Sequence, residues 1–385
     1  MEKNKIGLCM TFQGTNYGQL LQAYALQQKI DSLGYETEII RYCSGKDKGI
    51  KISFASACVA VHTALKKLAR KKHNDEILDK NHKANIAVRN EVSNYFRDRF
   101  FHNIVEINGY TDLVRKSGEY GAVVVGSDQV WLPEIAVTNF YTLRFAQEGV
   151  RRISYATSMG VSFYPRYLHK AAAEYWSKID YISVRENQAK QVIKQISNVD
   201  AKVVADPTYL LTSEEWEERI PTKRIIEPNY VLCYFLGDSE PIKRFAREFA
   251  NKKGLRLVSI LSNECNSDDY EFADEVLIGK SPEEFVNLIR NARYVLTDSF
   301  HGLAFSVINE KQFYVFYRTR VDAKQSRNSR IDNILKIWGL EDRLIKNPER
   351  LVCGDSIIDY QKVTQKRINF REDSLDFLKE ALENK

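Results

Sequence analysis

Short apolar runs that alternate with helical segments are the feature that most constrains how this 385-residue chain can fold. Strands separated by helices indicate a mostly parallel, doubly wound sheet. One such series extends from Lys5 to Ala205, and a second extends from Tyr230 to Tyr317. The sequence therefore predicts an α/β protein with two domains whose sheets face each other across a central cleft.

The alternating pattern stops after Asp206, and a polar stretch that contains Pro221 and Pro228 follows. We place the domain linker there. The predicted organisation is an N-terminal α/β domain at residues 1–210, a linker at 211–228, a C-terminal α/β domain at 229–350 and a helical extension at 351–385. That extension is a candidate for packing back on the first domain.

Composition indicates a globular protein of the cytoplasm. Apolar residues make up 44% of the chain and charged residues 28%, which is ordinary for a folded domain. No apolar run approaches the roughly 18–20 residues that span a membrane, and the first residues lead directly into a strand without a secretory signal. Six cysteines lack any C-x-x-C pair, which favours a reducing compartment over a disulfide framework or a zinc site. We expect no metal and no cofactor.

The net charge of +6 is concentrated in one segment. Residues 48–74 carry seven Lys or Arg and no acid, so the rest of the chain sums to −1. That distribution argues against a nucleic-acid partner. Apolar residues recur at helical spacing between 54 and 72, which predicts a basic amphipathic helix. Such a helix either packs on its own domain with a solvated face or makes a peripheral contact with the anionic inner face of the membrane.

The stretch from Tyr294 to Ile308 combines a buried strand, a polar turn at Asp298 and Ser299, and a helix that begins near His301. Ligands of parallel sheets bind at the carboxyl ends of strands, where helix N-termini attract anions. Because histidine can transfer protons near neutral pH, we predict that His301 is the catalytic residue.

Three other strand ends carry small or polar residues that suit a sugar. The first strand-to-helix turn contains Gly14 and Gly18, which permit close backbone approach, or it is only a tight turn. Asp128 could bind a hydroxyl or cap a helix, and Trp131 offers a flat face for a sugar ring. The predicted acceptor-binding residues are Asn16, Tyr17, Gly18, Ser127, Asp128, Trp131 and Ser158.

Basic residues near other strand ends suggest an anionic ligand. Arg185 ends a strand and could grip a carboxylate or phosphate, or it could pair with Glu186 or cap a helix. The segment after the last long strand is also basic, and it either binds the same anion or is merely solvated. The predicted donor-binding residues are Arg185, Ser299, Gly302, Arg318, Arg327 and Arg330.

Taken together, these stretches resemble the polysaccharide pyruvyl transferase family. The resemblance covers most of the chain and rests on the order and spacing of six segments. They are Asn16-Tyr-Gly18 with Leu21 to Leu26, Gly126 to Trp131, Ser154 to Ser158, Ser183-Val-Arg185, Ala205-Asp-Pro207 and Asp298 to Gly302.

The resemblance implies two Rossmann-like domains facing a central cleft, as in GT-B glycosyltransferases. It also implies transfer of a pyruvyl group from phosphoenolpyruvate to a sugar of a cell-surface polysaccharide, such as an exopolysaccharide or capsule, or of its precursor. His301 would be the general acid/base, and phosphoenolpyruvate would be a co-substrate rather than a bound cofactor. The acceptor would be a sugar or a lipid-linked saccharide. Active family members tend to carry an arginine where this chain has Ser299, which cannot make a bidentate charged contact.

Two other functions fit the same pattern. A GT-B glycosyltransferase with a nucleotide-sugar donor would share the two-domain cleft and the strand-end sites. A non-catalytic protein that binds polysaccharide or a lipid-linked intermediate would not require His301 for its function.

Overall fold

The fold was analysed in a computed structural model that describes residues 4–44, 58–59, 80–161, 163–262, 271–318, 328–350 and 356–383, with the side chains of 80–82 excepted. The predicted basic helix at 54–72, the candidate membrane contact at 48–74 and Arg327 lie outside the described residues, apart from positions 58 and 59.

The first domain is built on a sheet of seven parallel strands. Their spatial order is β3-β2-β1-β4-β5-β6-β7, the doubly wound order in which the chain reverses direction beside β1. The strands are β1 (Lys5–Cys9), β2 (Glu36–Cys43), β3 (Ile104–Asn108), β4 (Ala122–Asp128), β5 (Arg151–Thr157), β6 (Tyr181–Val184) and β7 (Lys202–Val203).

The second domain repeats this arrangement with six parallel strands in the order β10-β9-β8-β11-β12-β13. Its reversal point lies between β8 and β11. The strands are β8 (Tyr230–Tyr234), β9 (Arg256–Ile260), β10 (Glu275–Leu277), β11 (Tyr294–Thr297), β12 (Gln312–Phe316) and β13 (Leu344–Ile345). The predicted class is confirmed: the protein has two Rossmann-like α/β domains in the GT-B-like arrangement.

Helices cover the faces of both sheets. Those described are α1 (Tyr17–Ser32), α2 (Lys80–Phe100), α3 (Tyr110–Ser117), α4 (His169–Trp176), α5 (Asn187–Ser197), α6 (Ser213–Arg219), α7 (Glu240–Lys253), α8 (Pro282–Asn291), α9 (Phe300–Ile308), α10 (Ser329–Trp338) and α11 (Tyr360–Glu383). Local signals set several starts. For example, Ser281 and Glu284 form a capping box and Pro282 occupies the first turn of α8.

The first half of the predicted linker is helix α6 rather than an open connection. Thr212 and Glu215 form a capping box at its start. Trp216 is fully buried, and its Nε1 donates a hydrogen bond to Thr208 O at 3.0 Å. The Trp216 indole packs on Tyr24 of α1 and on Phe305 of α9. This segment is therefore held against both domains.

The last helix, α11, contacts both domains. Near its start, the Arg367 guanidinium donates to Ile308 O of the second domain at 2.7 Å. Further along, Ser374 Oγ accepts from Ala205 N of the first domain at 2.9 Å, and Lys202 pairs with Asp373 at 2.7 Å. The helix therefore braces the two domains from behind the cleft.

Candidate active site

The carboxyl ends of the two sheets border a cleft of about 280 Å³ between the domains. This position follows from the topology. Ligands of open parallel sheets bind at the carboxyl ends of the strands where the strand order reverses, which is between β1 and β4 in the first sheet and between β8 and β11 in the second. The lining residues are Thr15, Asn16, Gln19 and Arg89 from the first domain and Leu236, Ser262 and Arg318 from the second.

His301 of the second domain lies against the first domain at this boundary. It occupies the first turn of α9, and its side chain is 8% exposed. The buried Nε2 faces Asp206 Oδ2 at 3.7 Å, just beyond hydrogen-bond distance, and has no hydrogen-bond partner among the described residues. The other ring nitrogen, Nδ1, lies beside Gly18 at the start of α1.

Gly18 is what allows the imidazole to lie there. A Cβ at position 18 would be 1.9 Å from His301 Nδ1, a distance that real Cβ atoms do not reach. Gly18 lies inside α1, where glycine is otherwise disfavoured. The glycines of this turn predict close approach of another group, and in the structure that group is a histidine of the other domain.

A buried network of charges lies behind His301. Asp206 Oδ2 accepts from Arg185 Nη1 at 2.6 Å and from Ser127 Oγ at 3.2 Å. Asp206 Oδ1 accepts from the backbone N–H of Thr208 at 3.0 Å and from its hydroxyl at 2.8 Å. Burial alone would raise the pKa of Asp206, but His301, Arg185 and the Thr208 amide more than offset it and hold that pKa well below its usual range. The carboxylate is therefore ionised.

Arg185 is already engaged by acids of its own domain. Besides Asp206, it has Asp128 Oδ1 at 3.4 Å, and its guanidinium lies 4.3 Å from the ring centroid of Phe300. Its Nε is buried without a hydrogen-bond partner. The alternative that Arg185 forms a salt bridge is thus observed, with Asp206 and Asp128 rather than with Glu186.

Two other predicted arginines lie on the second-domain side. Arg318 is one-third exposed, lines the cleft, and has Asp298 Oδ2 at 3.7 Å. Arg330, in the first turn of α10, is partly buried and its Nε has no hydrogen-bond partner. Burial, followed by the nearby positive charge of Arg185, lowers the pKa of Arg330 to about 9. It stays charged at neutral pH, and an anion beside it would be stabilised.

The polar groups at the start of α9 are used within the protein. Ser299 Oγ accepts from Gly302 N at 3.3 Å, and Ser299 N donates to Thr297 Oγ1 at 3.0 Å. A Cβ at position 302 would be 2.5 Å from Thr297 Oγ1, so Gly302 is required for packing. The donor contacts expected of Ser299 and Gly302 stay predictions.

Besides Gly18, four predicted acceptor residues are buried and held by other protein groups, and their contact with a sugar stays a prediction. Trp131 is 0% exposed, packs on Tyr175 and Trp176, and donates from Nε1 to Tyr141 O at 3.1 Å. A residue three positions past the end of β4 has turned back into the core rather than into the cleft.

The other three are likewise held by protein groups. Tyr17 packs on Phe285 and donates to Lys280 O at 2.7 Å, so it joins the domains. Ser127 contacts Asp206, and Ser158 Oγ donates to Glu186 Oε1 at 2.9 Å. Ser127 and Ser158 are also 0% exposed.

Asn16 and Asp128 remain at the cleft side of the first domain. Asn16 lines the cleft, and its Oδ1 caps α1 by accepting from Gly18 N at 2.9 Å and from Gln19 N at 3.3 Å. Asp128 is partly exposed. Neither contact with an acceptor is tested by the structure.

Sequence reasoning missed two residues of the site. Asp206 was noted only as part of the Ala205-Asp-Pro207 marker, although an acid that directly follows a strand was a usable signal. Arg89 is buried in the cleft wall, where it donates to Thr15 O at 3.2 Å and to Leu261 O of the other domain at 2.6 Å. Its position in the middle of a long polar helix gave no signal.

Two further surveys cover the described residues. There, His, Cys, Asp and Glu side chains do not gather in groups of three or more that could hold a metal ion. In the same part of the chain, none of the helices has the length and apolar composition needed to cross a bilayer.

Solved structures similar to this chain share its two-domain architecture at very low sequence identity. MurG from Acinetobacter baumannii is 8% identical with a TM-score of 0.49, and 99% of each chain is covered. The UDP-GlcNAc 2-epimerase from Neisseria meningitidis bound to UDP-GlcNAc is 10% identical with a TM-score of 0.45, covering 95% of this chain and 99% of that one. The E. coli heptosyltransferase WaaC with ADP is 12% identical with a TM-score of 0.41, covering 96% and 99%. Likeness at this level carries no information on activity.

Sequence comparison is more decisive. Curated protein sequences yield no match. A family model described as "Polysaccharide pyruvyl transferase" matches residues 16–320, a range that includes strands β2 to β12 and His301. The chain belongs to the polysaccharide pyruvyl transferase family.

Proposed function

We propose that the protein transfers a pyruvyl group from phosphoenolpyruvate to two hydroxyls of one sugar, in a cell-surface polysaccharide or its precursor, with His301 as general acid/base. The observation that carries this proposal is the position of His301, which lies at the junction of the domains with a buried carboxylate behind Nε2 and arginines around the cleft.

The charges of the cleft favour a small anionic donor. Phosphoenolpyruvate carries a carboxylate and a phosphate, and Arg318 and Arg330 are two cations of the second domain that could pair with them.

The reaction needs controlled proton transfer at two places. One acceptor hydroxyl adds to C2 of the donor while C3 gains a proton and becomes a methyl group. The second hydroxyl then displaces the phosphate at C2, which closes the cyclic ketal. Of the two hydroxyl protons, one is balanced by the new methyl C–H and the other leaves with inorganic phosphate. We assign this proton transfer to Nδ1 of His301, on the Gly18 side of the ring, because Nε2 is buried against Asp206.

The proposal is tested by incubating the purified protein with phosphoenolpyruvate and a panel of sugars and lipid-linked saccharides. We expect phosphate release that depends on the acceptor and a product heavier by one pyruvate ketal. Release of a nucleotide from an activated sugar, without phosphate release from phosphoenolpyruvate, would instead identify a glycosyltransferase.

The role of His301 is tested by His301→Gln, which keeps a polar side chain but cannot exchange protons near neutral pH. We expect kcat to fall by ~10²–10⁴-fold, the usual contribution of general acid–base catalysis. His102→Gln is the matched control, because His102 is 45% exposed and pairs with Asp31 away from the cleft. Full turnover by a folded His301→Gln variant would exclude this role.

Full turnover by His301→Gln would leave the pyruvyl transfer itself standing. Binding of saccharide without turnover of either donor would point to the non-catalytic alternative.

A further inference from the structure

Asp206 and His301 face each other across the boundary between the domains. Asp206 follows β7 of the first domain and is 1% exposed, whereas His301 belongs to α9 of the second. Their facing atoms, Oδ2 and Nε2, are 3.7 Å apart, and Nε2 is buried without a hydrogen-bond partner in the part of the chain that the structure describes. A buried ring nitrogen next to a buried carboxylate is an arrangement with one favourable tautomer.

We propose that Asp206 is a positioning residue that holds the His301 imidazole with its proton on Nε2, so that Nδ1 keeps the lone pair needed for proton transfer. The tautomer assignment stands on geometry alone. Its consequence for catalysis rests on the proposed function.

The surroundings of Asp206 fix both its charge and its direction. Four donors from its own domain hold the carboxylate: Arg185 Nη1, Ser127 Oγ, and the backbone N–H and hydroxyl of Thr208. Because these contacts anchor Oδ1 through Thr208, Oδ2 is kept toward the second domain. An acid held this way cannot rotate away from the imidazole.

The opposite side of the ring completes the arrangement. A Cβ at position 18 would be 1.9 Å from Nδ1, so the backbone of α1 confines the ring there. The imidazole is thus confined by the first domain on both sides although it belongs to the second. N–H···O hydrogen bonds normally have donor–acceptor distances up to about 3.2 Å. A small movement of the domains toward each other would bring Nε2 of His301 within that distance of Asp206.

The pair is therefore assembled only when the two domains are together. Asp206 would act through His301 rather than on the substrate, as a buried carboxylate does when it sets the tautomer of a histidine. This predicts that removing the charge of Asp206 lowers kcat and leaves the KM for the donor nearly unchanged.

Nitrogen NMR of histidine-labelled protein tests the tautomer directly. The His301 signal is identified by its loss in His301→Gln. We expect the neutral ring of the wild-type protein to carry its proton on Nε2, and we expect Asp206→Asn to lose that preference. Thr208→Ala is the matched control, because it removes one contact to Oδ1 but keeps the charge, and it should retain the wild-type tautomer.

A wild-type ring protonated on Nδ1 would overturn the proposal, whether or not Asp206→Asn folds. An unchanged tautomer in a folded Asp206→Asn variant would overturn it as well.

Turnover supplies a second, independent readout. We expect Asp206→Asn to reduce kcat by roughly 10²–10⁴-fold, with partial recovery in Asp206→Glu. The double variant with His301→Gln should lose no more than His301→Gln alone, because the two residues act as a unit. Additive losses would show that Asp206 acts independently of His301.

The tautomer measurement tests the pairing of Asp206 with His301, and the activity measurement tests the proposed function, so either hypothesis can be rejected without the other. Absence of pyruvyl transfer with every acceptor, together with the expected tautomer in wild type and its loss in Asp206→Asn, would reject the proposed function and keep the pairing.

Discussion

The two halves of the cleft use their arginines in opposite ways. In the first domain, Arg185 is buried between Asp206 and Asp128, so its charge is largely balanced within the protein. In the second domain, Arg318 is one-third exposed and has Asp298 at 3.7 Å, and the buried Nε of Arg330 has no hydrogen-bond partner among the described residues. Arginine thus stabilises a buried ion network in the first domain, whereas in the second domain it supplies positive charge that an anionic ligand could use.

This difference indicates how the cleft divides its work. A fixed ion network in the first domain provides a rigid wall with a carboxylate aimed at His301. The second domain supplies the histidine and the cations that an anionic donor would need. An arginine at a strand end is therefore not by itself evidence of a ligand contact.

The largest effect should come from breaking the balanced network. Arg185→Met would leave Asp206 and Asp128 without their cation, and uncompensated buried charge costs about 3–5 kcal/mol. Denaturant unfolding should show that loss in the free energy of unfolding. Arg115→Met is the control, because Arg115 is 81% exposed and pairs only with exposed Asp112, which should contribute less than about 1 kcal/mol. Equal stabilities of the two variants would contradict the comparison.

Gly18→Ala should have the next largest effect, on activity. The added Cβ must displace the His301 ring, because it would be 1.9 Å from Nδ1. Misplacement by about 1 Å typically costs roughly 10²-fold in rate. Gly14→Ala in the same turn is the control, since its Cβ would meet only the flexible end of Gln19 at 2.4 Å. Steady-state kinetics should separate the two variants, and similar activities would mean that His301 does not need this position.

Much of the fold was predictable because its signals are local. Apolar runs located the strands from β8 to β12, and Ser281 with Pro282 located the start of α8. Strand β3 was not predicted, because only one of its five residues is buried and its sequence lacks a continuous apolar run. The topology confirmed that strand ends converge on one cleft, which is why the turn at His301 could be selected.

The surroundings of the predicted site residues depend on information that is not local. The distance of Trp131 from its strand end does not say that the loop turns back into the core. The partners of His301 are 95 and 283 positions earlier, at Asp206 and Gly18, so their contact requires the relative placement of two domains. Charge balance is equally non-local, and Arg185 could not be distinguished from Arg318 by residue type or by position after a strand.

Arg318→Ala tests whether the exposed arginine of the second domain binds the anionic donor. A hydrogen bond to a charged group contributes about 1.5–3 kcal/mol, so the KM for an anionic donor should rise roughly 10- to 100-fold while the stability changes little. Arg293→Ala is the control, because Arg293 is exposed and borders a separate hollow near the amino ends of β8, β11 and β12. An unchanged KM together with a large loss of stability would show that Arg318, like Arg185, has a structural role and does not bind the donor.

The smallest effects should come from the two helix caps that flank the imidazole. Asn16→Ala and Ser299→Ala each remove an N-cap, which costs about 1 kcal/mol and should lower the unfolding temperature by a few degrees. Asn16 accepts from two amides and Ser299 Oγ from one, so the Asn16 variant should be the less stable. Asn16→Asp and Ser299→Thr keep the caps and should stay near wild type in thermal unfolding. If Ser299→Ala were instead as stable as wild type but raised the KM for the donor, Ser299 would contact the donor. The second domain would then bind the donor through the start of α9 as well as through its arginines.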